Sequence, residues 1–123
     1  MWRGRPKYKN TRVEFQGYSF PSKLERDCFL MLKAREDAGE IRDLRNQHTV
    51  HMTKADITWR IDFSFVCANT GVTEFAEAKG LETQDYKLKL KLYRFYGPGP
   101  LSIYKASHRG IYLAERIIPA NGE

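Results

Sequence analysis

The sequence has little of several features that mark membrane, secreted or disordered proteins. No segment approaches the roughly 20 consecutive apolar residues of a membrane-spanning helix, and the basic amino-terminus lacks the apolar core of a signal peptide. Only five prolines accompany 41% hydrophobic residues, which argues for a folded chain. Its two cysteines, Cys28 and Cys67, belong to no C-x-x-C pair and fall at apolar positions. We therefore expect two buried thiols in a reducing, cytoplasmic compartment.

Acidic residues are also in deficit: 21 Lys and Arg face 15 Asp and Glu, for a net charge of +6. Many of the positive charges lie in a segment that precedes the first acid and in a second cluster near residue 90. Such clustering favours a polyanionic partner, with nucleic acid preferred to membrane because no amphipathic basic helix accompanies the first segment. The alternative is a basic surface kept for solubility. The first cluster contains Arg3, Arg5, Lys7, Lys9 and Arg12, and the second Lys87, Lys89, Lys91 and Arg94.

The length of 123 residues predicts a single α/β domain, with residues 1–12 as a basic, extended arm. Apolar periodicity, turn residues and caps divide the remainder into short elements. These are a hairpin over residues 13–20, a helix over 22–38, a strand within 41–52 that is clearest from 46 onward, strands over 57–67 and 72–79, a helix over 83–96, a strand over 101–105 parallel to that of 72–79, and a strand or short helix over 111–118.

Two stripes run along the helix predicted over residues 83–96. One is apolar and is expected to pack on the sheet, and the other is basic. Cations without acidic partners four residues away repel one another unless something negative is bound, so the basic stripe is a candidate nucleic-acid contact. A solvated helix face is the alternative. The apolar stripe consists of Leu88, Leu92 and Phe95, and the basic stripe of Lys87, Lys91 and Arg94.

The central hairpin carries the most specific pattern. From Ile57 to Cys67 every second residue is apolar, which predicts a strand with one buried face, and a turn over residues 68–71 leads to the next strand. If paired positions add up to 139, Asp62 faces Glu77 on the outer side, and Lys79 lies two residues further along that side. Facing carboxylates destabilise an antiparallel pair, so a divalent cation between them is the expected explanation. The alternative is a set of ordinary solvated charges.

These residues resemble a known family. Ile61-Asp62 followed by Glu77-Ala78-Lys79 looks like the ID…ExK core of the PD-(D/E)XK nuclease superfamily, although many relatives have Val at the middle position. The resemblance implies a restriction-endonuclease-like αβββαβ core, over residues 22–105, with a mixed central sheet flanked by helices. It also implies that Asp62, Glu77 and the main-chain carbonyl of Ala78 bind Mg²⁺, for which Mn²⁺ can substitute. Lys79 then orients or activates the attacking water.

Other candidate residues follow from the helices and the third strand. The spacing of Ser22 and Glu25 is that of a capping box, but the resemblance also makes Glu25 a candidate metal ligand and catalytic residue; both interpretations stay open. Ser22, at the helix N-terminus, is a candidate phosphate contact. Gln47 is a candidate contact to a nucleic-acid backbone. In the superfamily a lysine or glutamine of the second helix supports the site, and Lys87 and Lys91 match that position.

The order of these motifs is similar to that of small phage-encoded nucleases, some of which act on branched DNA. The resemblance thus implies a Mg²⁺-dependent DNA endonuclease, active in the host cytoplasm and selective for Holliday-junction-like DNA. A homodimer would suit such a substrate because it places two sites on opposed strands. The alternatives are a non-specific nickase or exonuclease, a non-catalytic nucleic-acid-binding module, and a structural or protein-interaction domain.

Overall fold

The computed structural model describes residues 13–15 and 17–120, including the side chains of all of these except Phe15, Tyr18 and Thr53. The predicted basic arm, with Arg3, Arg5, Lys7, Lys9 and Arg12, lies outside the described residues.

The described chain alternates short strands with two helices. From α1 to β6 the order is the expected αβββαβ. The third strand begins earlier than expected, and residues 110–117 form a strand rather than a short helix. The elements are β1 (Val13–Phe15), β2 (Tyr18–Phe20), α1 (Lys23–Asp37), β3 (Ile41–Met52), a 3₁₀ turn (Thr53–Ala55), β4 (Ile57–Cys67), β5 (Thr73–Ala78), α2 (Gln84–Tyr96), β6 (Leu101–Ser107) and β7 (Gly110–Ile117).

Five strands form a mixed sheet in the order β3-β4-β5-β6-β7, while β1 and β2 pair separately. β5 and β6 are parallel, as expected for strands joined by a helical crossover, and the other pairs are antiparallel. The predicted register of the central hairpin is confirmed from Phe63↔Ala76 to Val66↔Thr73.

Both helices begin where the sequence predicts. The hydroxyl of Ser22 accepts a hydrogen bond from the Glu25 N–H at 3.2 Å, and that of Thr83 accepts one from the Tyr86 N–H at 3.1 Å. These caps satisfy N–H groups that a first helical turn otherwise leaves without partners. Gly39, with φ of +81°, follows the end of α1 in the left-handed conformation that glycine adopts without strain.

Each helix packs beside its own apolar cluster. The α1 cluster comprises Phe20, Cys28, Phe29, Leu32, Ile41, Phe63, Phe65 and Ala76. The α2 cluster comprises Val50, Met52, Trp59, Ile61, Phe75, Tyr86, Tyr93, Leu101, Ile103 and Ile117. Within the described residues, neither helix has the length and apolarity needed to cross a bilayer.

The predicted buried stripe of α2 is wrong for two of its three residues, since only Leu92 packs, partly buried, against the α2 cluster. Leu88 and Phe95 are 55% and 57% exposed, whereas Tyr86 and Tyr93 are buried. Both stripes satisfy the helical period, and the aromatic one wins because its large rings fill the core while a hydroxyl finds a partner: the Tyr93 O–H donates to the Gly99 carbonyl. The expectation for Cys67 is also wrong, since its side chain is only half-buried; Cys28 is fully buried.

Gly99, which lies between α2 and β6, and Gly80, which lies between β5 and α2, differ sharply in the space available for a Cβ. A Cβ added at Gly99 would lie 2.5 Å from the backbone oxygen of Thr73 in β5, whereas one added at Gly80 would meet nothing within 4 Å. We expect Gly99→Ala to lower the free energy of unfolding by about 1–3 kcal/mol, because a strand backbone yields poorly to overpacking. Gly80→Ala is the matched control. Equal urea midpoints for the two variants would contradict the expectation.

Candidate active site

β4 and β5 separate where the two acidic residues lie. Their ladder ends at the pair Phe63↔Ala76. Beyond it, the Asp62 N–H donates to Glu77 Oε1 at 3.1 Å, and the Ala78 N–H donates to Asp62 Oδ2 at 2.9 Å. Each carboxylate therefore takes the place of a strand carbonyl, and the two side chains are tied together across the gap.

The separation coincides with a change of face in β4. Trp59 and Ile61 pack in the α2 cluster, whereas Phe63 and Phe65 pack in the α1 cluster. A regular strand keeps alternate residues on one face, so the expectation of one buried face along β4 is wrong. On the other side of Asp62 the β3 ladder passes from Asn46↔Phe63 to His48↔Ile61. The intervening Gln47 has φ of +57°, so the backbone is irregular beside Asp62.

A cavity of about 500 Å³ opens at this gap. The first turn of α1 lines the cavity through Leu24 and Glu25, and the N-cap Thr83 of α2 lines it from the other side. A helix N-terminus favours an anion. The residues predicted for catalysis and metal binding all line it. They are Glu25, Asp62, Glu77, Ala78 and Lys79, and the helix caps Ser22 and Thr83 line it with them.

Burial raises the pKa of both carboxyl groups and so disfavours their ionised forms. Glu77 is 5% exposed, and desolvation, followed by the charge of Asp62, raises the pKa of its carboxyl to about 8. Desolvation also raises the pKa of Asp62 to about 6, although the Ala78 N–H and the Lys79 charge act in the opposite direction. Because proximity and burial both penalise the ionised pair, a cation in the cavity would restore its negative charge.

Glu25 is buried on the first turn of α1, at 7% exposed. The Glu25 N–H donates to the Ser22 hydroxyl, which is the serine half of a capping box. Its side chain also lines the cavity, and its charge raises the pKa of Glu77 further. The roles of the Glu25 side chain as a helix cap and as a metal ligand both stay predictions.

Lys79 rests on an aromatic ring that sequence analysis did not single out. Its Nζ lies 4.5 Å from the ring centroid of Tyr86, and that ring in turn meets Trp59 edge-on at 5.8 Å. A cation over an aromatic face is attracted by the ring's quadrupole, so Tyr86 restrains the ammonium beside the acids. The available signal was the position of Tyr86 three residues after the cap Thr83, which points it back from the first turn of α2.

The donor atoms fit a hard divalent cation. In the described residues, Asp62 Oδ1 and Glu77 Oε2 accept no hydrogen bond, so each carboxylate keeps one free oxygen. The described part of the chain holds no cage of three or more His, Cys, Asp or Glu side chains. Mg²⁺ does not need one, because it is commonly held by one or two carboxylates together with water.

The predicted nucleic-acid contacts are dispersed. Ser22 lines the cavity, whereas Gln47 is exposed beside Asp62 on β3, and Lys87 and Lys91 are exposed on α2 outside the cavity lining. Arg94 lacks an acidic partner on its own helix, as expected, but it donates to Glu115 of β7 at 2.6 Å. Its charge is thus already matched, which removes the repulsion argument for this residue.

Comparison with curated proteins finds no match to this chain. A family model described as "Protein of unknown function (DUF1064)" matches residues 5–106, a span that includes both helices, strands β1 to β5, nearly all of β6 and every residue that lines the cavity. The chain therefore belongs to the DUF1064 family.

Proposed function

We propose that the protein is a metal-dependent deoxyribonuclease of the PD-(D/E)XK type, an endonuclease that hydrolyses phosphodiester bonds in DNA. The observation that carries the proposal is the carboxylate pair itself: Asp62 and Glu77 are tied by reciprocal hydrogen bonds and share a cavity with Lys79. The αβββαβ order and the mixed sheet support it.

Each residue of the cavity has a chemical role in this proposal. Asp62 and Glu77, with the main-chain carbonyl of Ala78, would hold Mg²⁺ or Mn²⁺, which neutralises phosphate charge and acidifies water when bound. Lys79 holds the attacking water or stabilises charge that develops on the phosphate, from a position fixed by Tyr86. Glu25 completes the acidic wall, while the N-termini of α1 and α2 attract the phosphate.

The proposed preference is for DNA structure, with branched junctions first. Reading a base sequence requires side chains that reach base edges in a groove. Here the segment joining β3 to β4 consists of the 3₁₀ turn Thr53–Ala55 and one further residue, Asp56, which offers little chain for that purpose. A homodimer acting on two opposed strands fits a junction substrate, whereas a nickase or exonuclease would act on nicked or end-accessible DNA.

The first test removes the metal-binding charges without changing side-chain shape. Asp62→Asn and Glu77→Gln should each lower DNA cleavage by about 100-fold or more, because each removes an ionised oxygen from the proposed metal site. Cleavage of four-way, nicked, linear and end-blocked DNA is measured with and without Mg²⁺ or Mn²⁺. Asp37→Asn, at the exposed end of α1, is the control. Wild-type protein that cuts none of these substrates would refute the nuclease proposal.

The second test uses pH and needs no substrate. Because the pKa of Glu77 is raised from 4.5 to about 8, the folded metal-free protein holds a proton that the unfolded chain releases. This contribution to stability is complete below pH 4.5 and is lost as the pH rises through 8. Mg²⁺ competes with that proton, so it should raise the melting temperature more above pH 8 than below pH 6.

Glu77→Gln is the control for this pH test, since it removes the titrating group and should flatten both profiles. A Mg²⁺-induced shift in melting temperature that is equal at the two pH values would contradict a metal site on this pair.

The third test separates the ring of Tyr86 from its hydroxyl. Tyr86→Phe keeps the face under Lys79 and should leave cleavage within about twofold of wild type, whereas Tyr86→Leu should lower it about tenfold by releasing the ammonium. Urea unfolding monitors the stability of both variants. Equal activity of the two, at equal stability, would exclude a positioning role for the ring.

A further inference from the structure

Residues 57–61 of β4 form a two-stranded ribbon with the end of β3. β5 pairs with residues 63–66 of β4, whereas residues 57–61 pair with β3 on their other side. One face of this ribbon is apolar and packs beside α2, through Val50, Met52, Trp59 and Ile61. These contacts fix the ribbon to the core although β5 does not extend along it.

The opposite face of the ribbon is exposed and polar. It consists of two cross-strand pairs, Thr49↔Arg60 and His51↔Thr58, and all four side chains are exposed. None of the four is acidic, and the row ends at Asp62 beside the cavity. α1 covers the same side of the sheet over the later part of β4, and its first turn lies at the cavity. The exposed row therefore lies beyond the N-terminus of α1 and is not covered by it.

Arg60 is set apart from most described arginines because no described carboxylate pairs with it. Such carboxylates hold Arg26, Arg35, Arg42, Arg94 and Arg116 in ion pairs. An arginine that is free of internal partners keeps its planar fork of donors available to a phosphate.

The spacing along β4 suits a nucleic-acid strand. Arg60 precedes Asp62 by two residues, a distance of roughly 7 Å by strand rise, and the pair His51↔Thr58 lies about the same distance further out. A step of 7 Å corresponds to the rise of about two base pairs along the axis of a duplex. Arginine and threonine side chains are ordinary donors to phosphate oxygens.

We propose that this exposed row of Thr49, His51, Thr58 and Arg60 binds the phosphate backbone of the DNA strand that enters the cavity, with Arg60 as the main contact. The proposal rests on the nuclease function above. It assigns the binding of the DNA backbone to this row of four residues, which we call the DNA track, rather than to the basic stripe of α2. Because these contacts reach phosphates, they strengthen binding to every sequence alike.

The test measures DNA binding apart from cleavage. With a chelator present, fluorescence anisotropy gives the affinity of wild type and variants for a short duplex over a range of salt concentrations. Arg60→Ala should weaken binding about tenfold and reduce the slope of log K against log salt by about 0.9, the loss of one phosphate contact. Arg60→Lys should restore most of the slope.

Two further variants control for charge and for folding. Arg42→Ala removes an exposed arginine at the opposite end of β3 and should leave the slope unchanged. Thr49→Glu places a carboxylate opposite Arg60, so it should weaken DNA binding while leaving the urea midpoint at or above that of wild type. Equal losses of slope in Arg60→Ala and Arg42→Ala would overturn the DNA track.

The outcome distinguishes this inference from the nuclease proposal. If the wild-type protein cuts no DNA with any metal, and Arg60→Ala alone reduces the slope of log K against log salt, the DNA track is supported and the nuclease proposal is refuted. If the wild-type protein cuts DNA in the presence of metal, and wild type and Arg60→Ala bind DNA identically, the nuclease proposal is supported and the DNA track is refuted.

Discussion

The two hydrogen bonds that link Asp62 and Glu77 across the gap between β4 and β5 are the constraint on which the site depends. A sheet that separates leaves backbone N–H groups without carbonyl partners, and buried groups of that kind are costly. Here the side-chain carboxylates supply the missing acceptors to the N–H groups of Asp62 and Ala78. The same two bonds therefore satisfy the opened backbone and hold the two acids within one cavity.

This arrangement has an electrostatic cost that shapes its surroundings. Burial raises the pKa of both carboxyl groups, and the charge of Asp62 raises the pKa of Glu77 further. The groups that oppose this effect are the N–H groups of Asp62 and Ala78, which donate to the carboxylates, and the Lys79 ammonium held over Tyr86. The backbones of β4 and β5, together with the lysine that follows β5, therefore stabilise the ionised acids.

The parts of the fold that follow from the sequence are the local ones. Caps at Ser22 and Thr83 act within one helical turn, and the register of the β4–β5 hairpin is fixed by a short turn, so spacing alone predicts them. The grouping of Glu25 with Asp62 and Glu77 was accessible only through the family resemblance. Composition does not say which helix face meets the acids.

Three of the failures of prediction concern contacts between residues that are distant in the sequence. The change of face in β4 coincides with the left-handed backbone of Gln47 in the neighbouring β3, which no periodicity in the sequence indicates. The partner of Arg94 lies 21 residues away on β7, beyond any i,i+4 rule. In α2 two stripes have the same helical period, so periodicity does not say which one is buried. The shape of the core that receives Tyr86 and Tyr93 decides this.

The change of face at Asp62 also connects the cavity to the ribbon. Since Ile61 turns toward α2 while Phe63 turns toward α1, β4 is anchored by apolar contacts on different sides before and after Asp62. A strand held in this way cannot rotate about its axis without losing one of those contacts. Arg60 and Asp62 are therefore fixed relative to each other by the cores on both sides of the sheet. A nucleic-acid strand bound along the ribbon would meet the acidic pair at a position that depends on packing rather than on a mobile loop.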